Sequence, residues 1–136
     1  MLFRSLVGKA LWALKHHKAH MVCELSPYSC MPNTMSIGAM AAVTGAHPDL
    51  LYAPIEIKGD AEVHALSRCQ MILTEARKRA QREYEGALAA SGFSERGLRE
   101  AVAARPELRR ATFAVPHCGA AGSAANLALY LAGRRA

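Results

Sequence analysis

The sequence predicts an α/β protein, a partial doubly wound (Rossmann- or flavodoxin-like) three-layer module with a short parallel sheet and long helices. Three observations carry this expectation. Apolar residues recur at three- and four-residue spacing over several long segments, as amphipathic helices require. Short apolar runs of strand length, bounded by Pro, Gly, Ser or Asp, separate those segments. Runs and segments alternate, and strand–helix–strand alternation implies parallel pairing through right-handed crossovers. At 136 residues, 51% of them hydrophobic, residues 1–136 read as a single module.

The elements follow in chain order. MLFRSLVGKALWALKHHK gives an N-terminal amphipathic helix over residues 1–18, with Leu2, Phe3, Leu6, Val7, Ala10, Leu11 and Leu14 on its apolar face. Residues 19–25 are a short apolar run ended by Ser26 and Pro27, read as a buried strand. Residues 32–46 form a helix, with Pro32 suited to its first turn. A turn at His47, Pro48 and Asp49 leads into residues 50–57; Pro54 cannot donate a ladder hydrogen bond, so this is an edge strand or two shorter extended pieces. Gly59 and Asp60 open the longest helix, roughly residues 61–90, with Asp60 as N-cap and Leu66, Cys69, Leu73, Ala76, Ala80, Tyr84 and Leu88 along one stripe. Glu75 with Arg79, and Arg79 with Glu83, have helical pairing distance. Gly92 stops this helix, Ser94 caps another over residues 95–105, and Pro106 punctuates that one. Residues 111–116 are a third strand, and residues 120–132 a closing helix of small residues. Three short strands leave a parallel sheet with open edges. The chain is therefore expected to be a C-terminal fragment of a larger protein, or to complete its sheet by self-association.

The net charge of +6 raises the question of an anionic partner. It is dispersed: +4 over residues 1–22, −3 over 23–60, +3 over 61–110 and +2 in the tail. No basic patch with interleaved aromatics forms, which argues against nucleic acid and for a solvated basic surface. No stretch approaches the roughly 18 uninterrupted apolar residues of a membrane-spanning helix. Lys9 interrupts the N-terminal apolar run too early for a secretory signal. A cytoplasmic chain with reduced cysteines and no membrane association is expected.

Cys23, Cys30, Cys69 and Cys118 include no C-x-x-C pair and no zinc-finger spacing. In a parallel α/β sheet, ligands sit beyond the carboxyl ends of the strands. Cys30, in Ser26-Pro27-Tyr28-Ser29-Cys30-Met31-Pro32, and Cys118, in Val115-Pro116-His117-Cys118-Gly119, both fall between a strand and a helix. Free N–H groups and the helix dipole favour a thiolate at such a position. Cys23 and Cys69 lie on apolar runs and read as packing residues. Pro27 and Pro32 bracket Cys30, with Asn33, Thr34 and Ser36 beside it. The roles open to it are a metal or iron–sulfur ligand, a nucleophile with His47, His64 or His117 as base, or a thiol in a rigid turn. A second constellation sets Asp60, Glu62 and His64 at a loop-to-helix junction with Ser67 and Arg68 a turn further on, either a polar site for an acidic ligand or an N-cap with a solvated first turn. A third, from Gly119 to Asn126, places glycines before a helix, but its spacing is not the dinucleotide fingerprint and it lacks the P-loop lysine. Close packing explains those small residues equally well.

CELSPYSCMPNTMSIGAMAAV, followed by DLLYAPIEIKGDAEVHALSRCQMILTEA, resembles the C-terminal region of the 2-hydroxyacyl-CoA dehydratase and benzoyl-CoA reductase superfamily, nearest the large acyl-CoA dehydratase activase-related proteins. The Tyr28-Ser29-Cys30-Met31-Pro32 turn and the Asp60 segment ending in Leu66-Ser67-Arg68 carry the resemblance. It covers residues 21–79, and AAGSAANLALYLA more weakly. It implies that Cys30 is a metal ligand at or near an oxygen-sensitive iron–sulfur site, a 4Fe–4S cluster that is incomplete without other domains or chains. Cys118 is the weaker cofactor-binding candidate; Arg68 matches a recurring arginine and joins Asp60 and His64 as a polar site. The implied function is that of an iron–sulfur-associated module in ATP-driven low-potential electron transfer for 2-hydroxyacyl-CoA dehydration in anaerobic metabolism. Its partners would be dehydratase or activase components, with acyl-CoA as substrate of the assembly. ATPase phosphate loops and further cluster cysteines are lacking, so activity by this chain alone is not expected. The alternative is a non-catalytic structural or assembly module that docks onto a larger catalytic chain.

Overall fold

The computed structural model describes residues 2–59 and 61–134. The Asp60 cap expected for the long helix, and the Leu2 and Phe3 side chains of the N-terminal stripe, lie outside the described set. The elements are α1 (Leu2–Lys15), β1 (Val22–Pro27), α2 (Met31–Ala46), β2 (Tyr52–Ile57), α3 (Glu62–Ser91), α4 (Glu95–Ala103), a 3₁₀ turn (Pro106–Arg109) and α5 (Ser123–Gly133). The chain divides into two compact units, Met1–Arg79 and Ala80–Ala136, with the boundary inside α3.

In the first unit, β1 and β2 form a two-stranded parallel sheet in register from Val22 opposite Tyr52 to Pro27 opposite Ile57. The fold is thus α/β, with α2 as the crossover. Bonds from Val22 N–H to the Leu51 carbonyl (2.8 Å) and from Tyr28 N–H to the Ile57 carbonyl (3.0 Å) bracket the ladder. A parallel ladder alternates, so Val22, Glu24 and Ser26 turn their backbone groups toward β2 while Cys23 and Leu25 turn theirs outward. In β2 the outward positions are Tyr52, Pro54 and Glu56. Pro54 therefore sits where a donor is not needed, and β2 continues through it as one edge strand.

Side chains alternate with the pleat. Val22 and Tyr52 pack with Val7, Leu14 and Val43 around buried Ala10, Met40 and Leu50, so this face of the sheet carries α1 and α2. Cys23, Leu25 and Ile55 face the other way and border Cys69, Ile72 and Leu73 of α3. Helix α1 ends three residues before the expected Lys18 because His17 adopts a left-handed conformation (φ 47°). Lys18 N–H then reaches the Ala13 carbonyl (2.9 Å) and His17 N–H the Leu14 carbonyl (3.2 Å), a Schellman closure that satisfies the last carbonyls.

The second unit is helical. Its core is Phe93, Leu98, Ala128 and Leu131, flanked by Tyr84, Leu88, Val102, Leu108 and Tyr130. Gly92 (φ 67°) ends α3 in the left-handed region that glycine adopts without strain. The Ser94 hydroxyl accepts from Gly97 N–H at 3.1 Å and caps α4. The third strand expected over residues 111–116 does not form. Among the described residues the sheet has two strands, and this segment is an irregular extended chain after a turn closed by Phe113 N–H to the Arg110 carbonyl (2.9 Å). Phe113 and Val115 are half-buried between exposed neighbours, with Phe113 against the Tyr130 ring (centroids 6.3 Å). The alternation that resembled a strand is that of a one-sided chain anchored on α5. No helix among the described residues is long and apolar enough to cross a membrane.

Candidate functional site

The carboxyl ends of β1 and β2 open into the two segments singled out in the sequence. After Pro27, Cys30 N–H returns to the Pro27 carbonyl (3.2 Å), closing a turn in which Ser29 has φ 61°. Only the second central residue has positive φ, the pattern of a type II turn, where glycine is usual. A serine there carries backbone strain of roughly 1 kcal/mol. The turn delivers Cys30 as the N-cap of α2 (φ −73°, ψ 105°), with Pro32 in the first turn. The Cys30 carbonyl accepts from Thr34 N–H (3.0 Å) and Thr34 Oγ1 (3.1 Å). The Cys30 side chain makes no capping bond, and the residue is half-buried. Met31 and Asn33 have first-turn N–H groups without an intrahelical acceptor.

The loop after β2 lies beside this turn. Tyr28 donates its backbone N–H to Ile57, and Lys58 places Nζ 5.7 Å from the Tyr28 ring centroid. Ala61 N–H reaches the Lys58 carbonyl (3.0 Å), and Ala65 N–H the Ala61 carbonyl (3.1 Å) as α3 begins. The Cys30 turn and the Gly59 loop thus share one end of the sheet. Tyr28 (60%), Met31 (75%), Met35 (63%) and Ile57 (51%) are exposed. Exposed apolar side chains from the Cys30 turn, the first turns of α2 and the end of β2 thus form an apolar rim at this end of the sheet.

The remaining candidates disperse. His64 is exposed on α3. Arg68 also lies on α3, and its guanidinium donates to the Pro54 carbonyl (3.4 Å), at mid-strand on the β2 edge. Asp60 is outside the described residues. His47 is the C-cap of α2, the opposite end of that helix from Cys30, so it does not serve as its base. Cys118 and His117 belong to the second unit. Cys118 is exposed, with its N–H bonded to Asn126 Oδ1 (2.7 Å) and its thiol near the Pro116 carbonyl (3.6 Å).

The glycine-bearing loop before α5 is occupied from within. Glu83 accepts from Ala121 N–H (2.8 Å) and Gly122 N–H (2.7 Å), so a carboxylate holds the donors a phosphate would need. Buried Asn126 accepts from Cys118 and Ala120 N–H and donates to the Ala120 carbonyl (2.7 Å). This loop is a satisfied structural plug.

Sequence reasoning missed a buried polar group beneath α2. Glu24, Ser26 and Ser36 are 7%, 2% and 0% exposed. The Ser36 hydroxyl contacts Glu24 Oε1 and the Asn33 carbonyl, and Tyr52 donates its hydroxyl to Glu24 Oε2 (2.5 Å). Burial, then the hydrogen bond to Glu24, raises the Tyr52 phenol well above its ordinary range. Ser26 Oγ has no partner among the described residues. The signal was the period-two placement of Glu24, inside the run read as apolar, and Ser26, the residue that ends it. On the other face, Cys23 and Cys69 line an apolar cavity of about 230 Å³ with Met21, Leu25, Ile55, Ile72 and Leu73. Partial burial there, then the neighbouring Cys69, pushes the Cys23 thiol up.

A four-iron cluster is held by several thiolates. Among the described residues no three His, Cys, Asp or Glu side chains gather to hold a metal, and Cys23 and Cys69 face a cavity on the α3 side of the sheet. Cys30, at an exposed strand-to-helix turn, therefore belongs to no such group among the described residues. These features define an α/β chain with one parallel β-α-β unit and a candidate site at its carboxyl end. Comparison with protein-family models, curated proteins and solved structures found no match.

Proposed function

We propose that this chain is an iron–sulfur-associated module of a 2-hydroxyacyl-CoA dehydratase and activase system, in which Cys30 supplies one thiolate to a cluster completed by a larger partner. The placement of Cys30 is the observation that supports this reading. A strained turn fixes a half-buried thiol beyond the carboxyl end of β1, amid exposed Tyr28, Met31, Met35 and Ile57. A partner surface seated on that rim would bring the missing ligands and exclude water, and solvent exposure is one of the levers that sets a cluster's potential. In this reading the β-α-β unit is part of a doubly wound sheet, and the assembly delivers low-potential electrons, driven by ATP, for dehydration of an acyl-CoA in the cytoplasm.

Anaerobic reconstitution with iron, sulfide and a small external thiol tests it, since the external thiol can fill the positions that this chain leaves open. The wild type is expected to develop broad sulfide-to-iron charge-transfer absorbance that Cys30→Ala lacks. Equal spectra for the two proteins would overturn the reading. The exposed apolar side chains continue along α3 at Val63, Leu66 and Met71, well beyond the Cys30 turn in sequence. That observation favours the second reading, a docking module without chemistry of its own, in which a dehydratase or activase component stays bound after Cys30 is replaced.

A further inference from the structure

Three sulfur-bearing residues, Met21, Cys23 and Cys69, line one apolar cavity of about 230 Å³ on the α3 side of the sheet. Met21 and Cys23 are two apart at the start of β1, so the pleat turns both toward the same side, and Cys69 meets them from α3. The rest of the lining is Leu25, Ile55, Ile72 and Leu73, so the cavity presents no nitrogen or oxygen from a side chain. The two thiols are near enough to feel one another: after burial, it is Cys69 that pushes the Cys23 thiol up. Packing alone does not account for this arrangement. A cysteine that only fills space is among the most buried of residues, whereas Cys23 is exposed, which leaves a path into the cavity.

We propose that this cavity is a site for a soft monovalent metal ion, Cu(I) by its chemistry, held by the thiolates of Cys23 and Cys69 with the Met21 thioether as third donor. The donor set selects the ion. Calcium and magnesium take oxygen ligands, and structural zinc takes four donors. Thiolate and thioether together favour Cu(I), and the thioether is a donor outside the His, Cys, Asp and Glu set. On binding, each thiol gives its proton to solvent as its sulfur–copper bond forms. Two protons leave for each ion, and the copper stays Cu(I). A disulfide is the other product open to neighbouring thiols, but it needs an oxidant and a thiolate attacker, and the raised Cys23 thiol disfavours that attack. Cys30 is not part of this lining, so the site is separate from the cluster proposed above.

Anaerobic titration of the full chain with Cu(I), buffered by an excess of a chromophoric Cu(I) chelator, tests the site. Cys30→Ser/Cys118→Ser, which keeps only the cavity thiols, is expected to take one Cu(I) from the chelator and to retain no Zn(II) through desalting. Adding Cys23→Ser or Cys69→Ser to that background should abolish copper uptake. Adding Met21→Leu should let the chelator recover the ion at lower concentration, with far-UV circular dichroism unchanged by copper-free comparison. X-ray absorption at the copper edge reads the donors without further substitution, and sulfur alone is expected. Failure of Cys30→Ser/Cys118→Ser to take copper, equal uptake once Cys23 and Cys69 are both replaced, or nitrogen or oxygen donors at the copper edge would overturn the proposal. Because Cys30 is absent from the protein titrated, this result and the iron–sulfur reconstitution succeed or fail independently.

Discussion

Residues 2–79 carry Leu25, Tyr28, Met31, Met35, Ile57, Val63, Leu66 and Met71 at 51–78% exposure, while Glu24 is buried at 7%. In residues 80–134 the pattern is inverted: Phe93, Leu98 and Leu131 are buried, and the carboxylate of Glu83 binds loop N–H groups of Ala121 and Gly122. The second unit uses its large apolar side chains on itself. The first keeps large apolar side chains exposed at the carboxyl end of its sheet, along α3 and on β1. The same unit also holds the strained Ser29 turn and Cys30. The first unit is therefore where the partner contacts proposed above would fall, and the second is packed on itself.

The largest effect should come from the helical core. Leu131 is fully buried in the second unit and Met40 is 1% exposed in the first, and deleting either side chain leaves a cavity. Leu131→Ala and Met40→Ala are each expected to lower stability by about 2–5 kcal/mol in urea melts. Hydrogen exchange should rise chiefly in α4 and α5 for Leu131→Ala, and in α1, α2 and the sheet for Met40→Ala. The same pattern of opening for both variants would break the division into two cores.

The two internal carboxylates come next. Glu24→Ala strands the Tyr52 hydroxyl and removes one of the two acceptors of Ser36, whereas Glu83→Ala leaves two loop N–H groups open to competition from water. Losses of roughly 1–3 kcal/mol are expected where buried partners are left unsatisfied, and Glu24→Ala should be the more costly because its partners are more buried. The pH response separates the two sites further. The unfolded Tyr52 phenol ionises near pH 10 and the folded one well above that. Its contribution is thus complete below pH 10 and is lost as pH rises beyond it. Alkaline titration of stability should show this loss in the wild type and in Glu83→Ala, and a smaller one in Tyr52→Phe.

Much of the fold was legible because its signals are local. The helices followed from apolar spacing, and Gly92, Ser94 and Pro32 marked termini through their own backbone chemistry. The pairing of strands is not local. Phe113 and Val115 alternate as they would in a strand, yet the segment lies one-sided against α5, and only the absence of a ladder separates the two cases. The site was legible in part. Prolines flanking Cys30 announced a fixed turn, but the left-handed Ser29 did not announce itself, since serine is uncommon there. Arg68 and His64 are close in sequence, but Arg68 reaches back along α3 to the middle of β2. Glu24 and Tyr52 went unseen, and Ser36 read as a polar neighbour of the Cys30 thiol rather than a partner of Glu24, because each looks solvent-facing until α2 folds over the sheet.

The smallest effect is expected at that turn. Ser29→Gly removes the left-handed strain and should raise stability by about 1 kcal/mol or less, part of the gain being offset by the greater freedom of glycine in the unfolded chain. Calorimetry that shows Ser29→Gly to be clearly destabilising would mean that the turn is not strained as described.

Iron and acid-labile sulfide content, measured after anaerobic reconstitution of Cys30→Ser and Cys118→Ser in parallel, tests the contrast between the units most directly. Loss of both elements with Cys30→Ser, and retention near the wild-type level with Cys118→Ser, is the result expected if the first unit carries the cluster ligand. Equal retention in both variants, or a loss confined to Cys118→Ser, would contradict it.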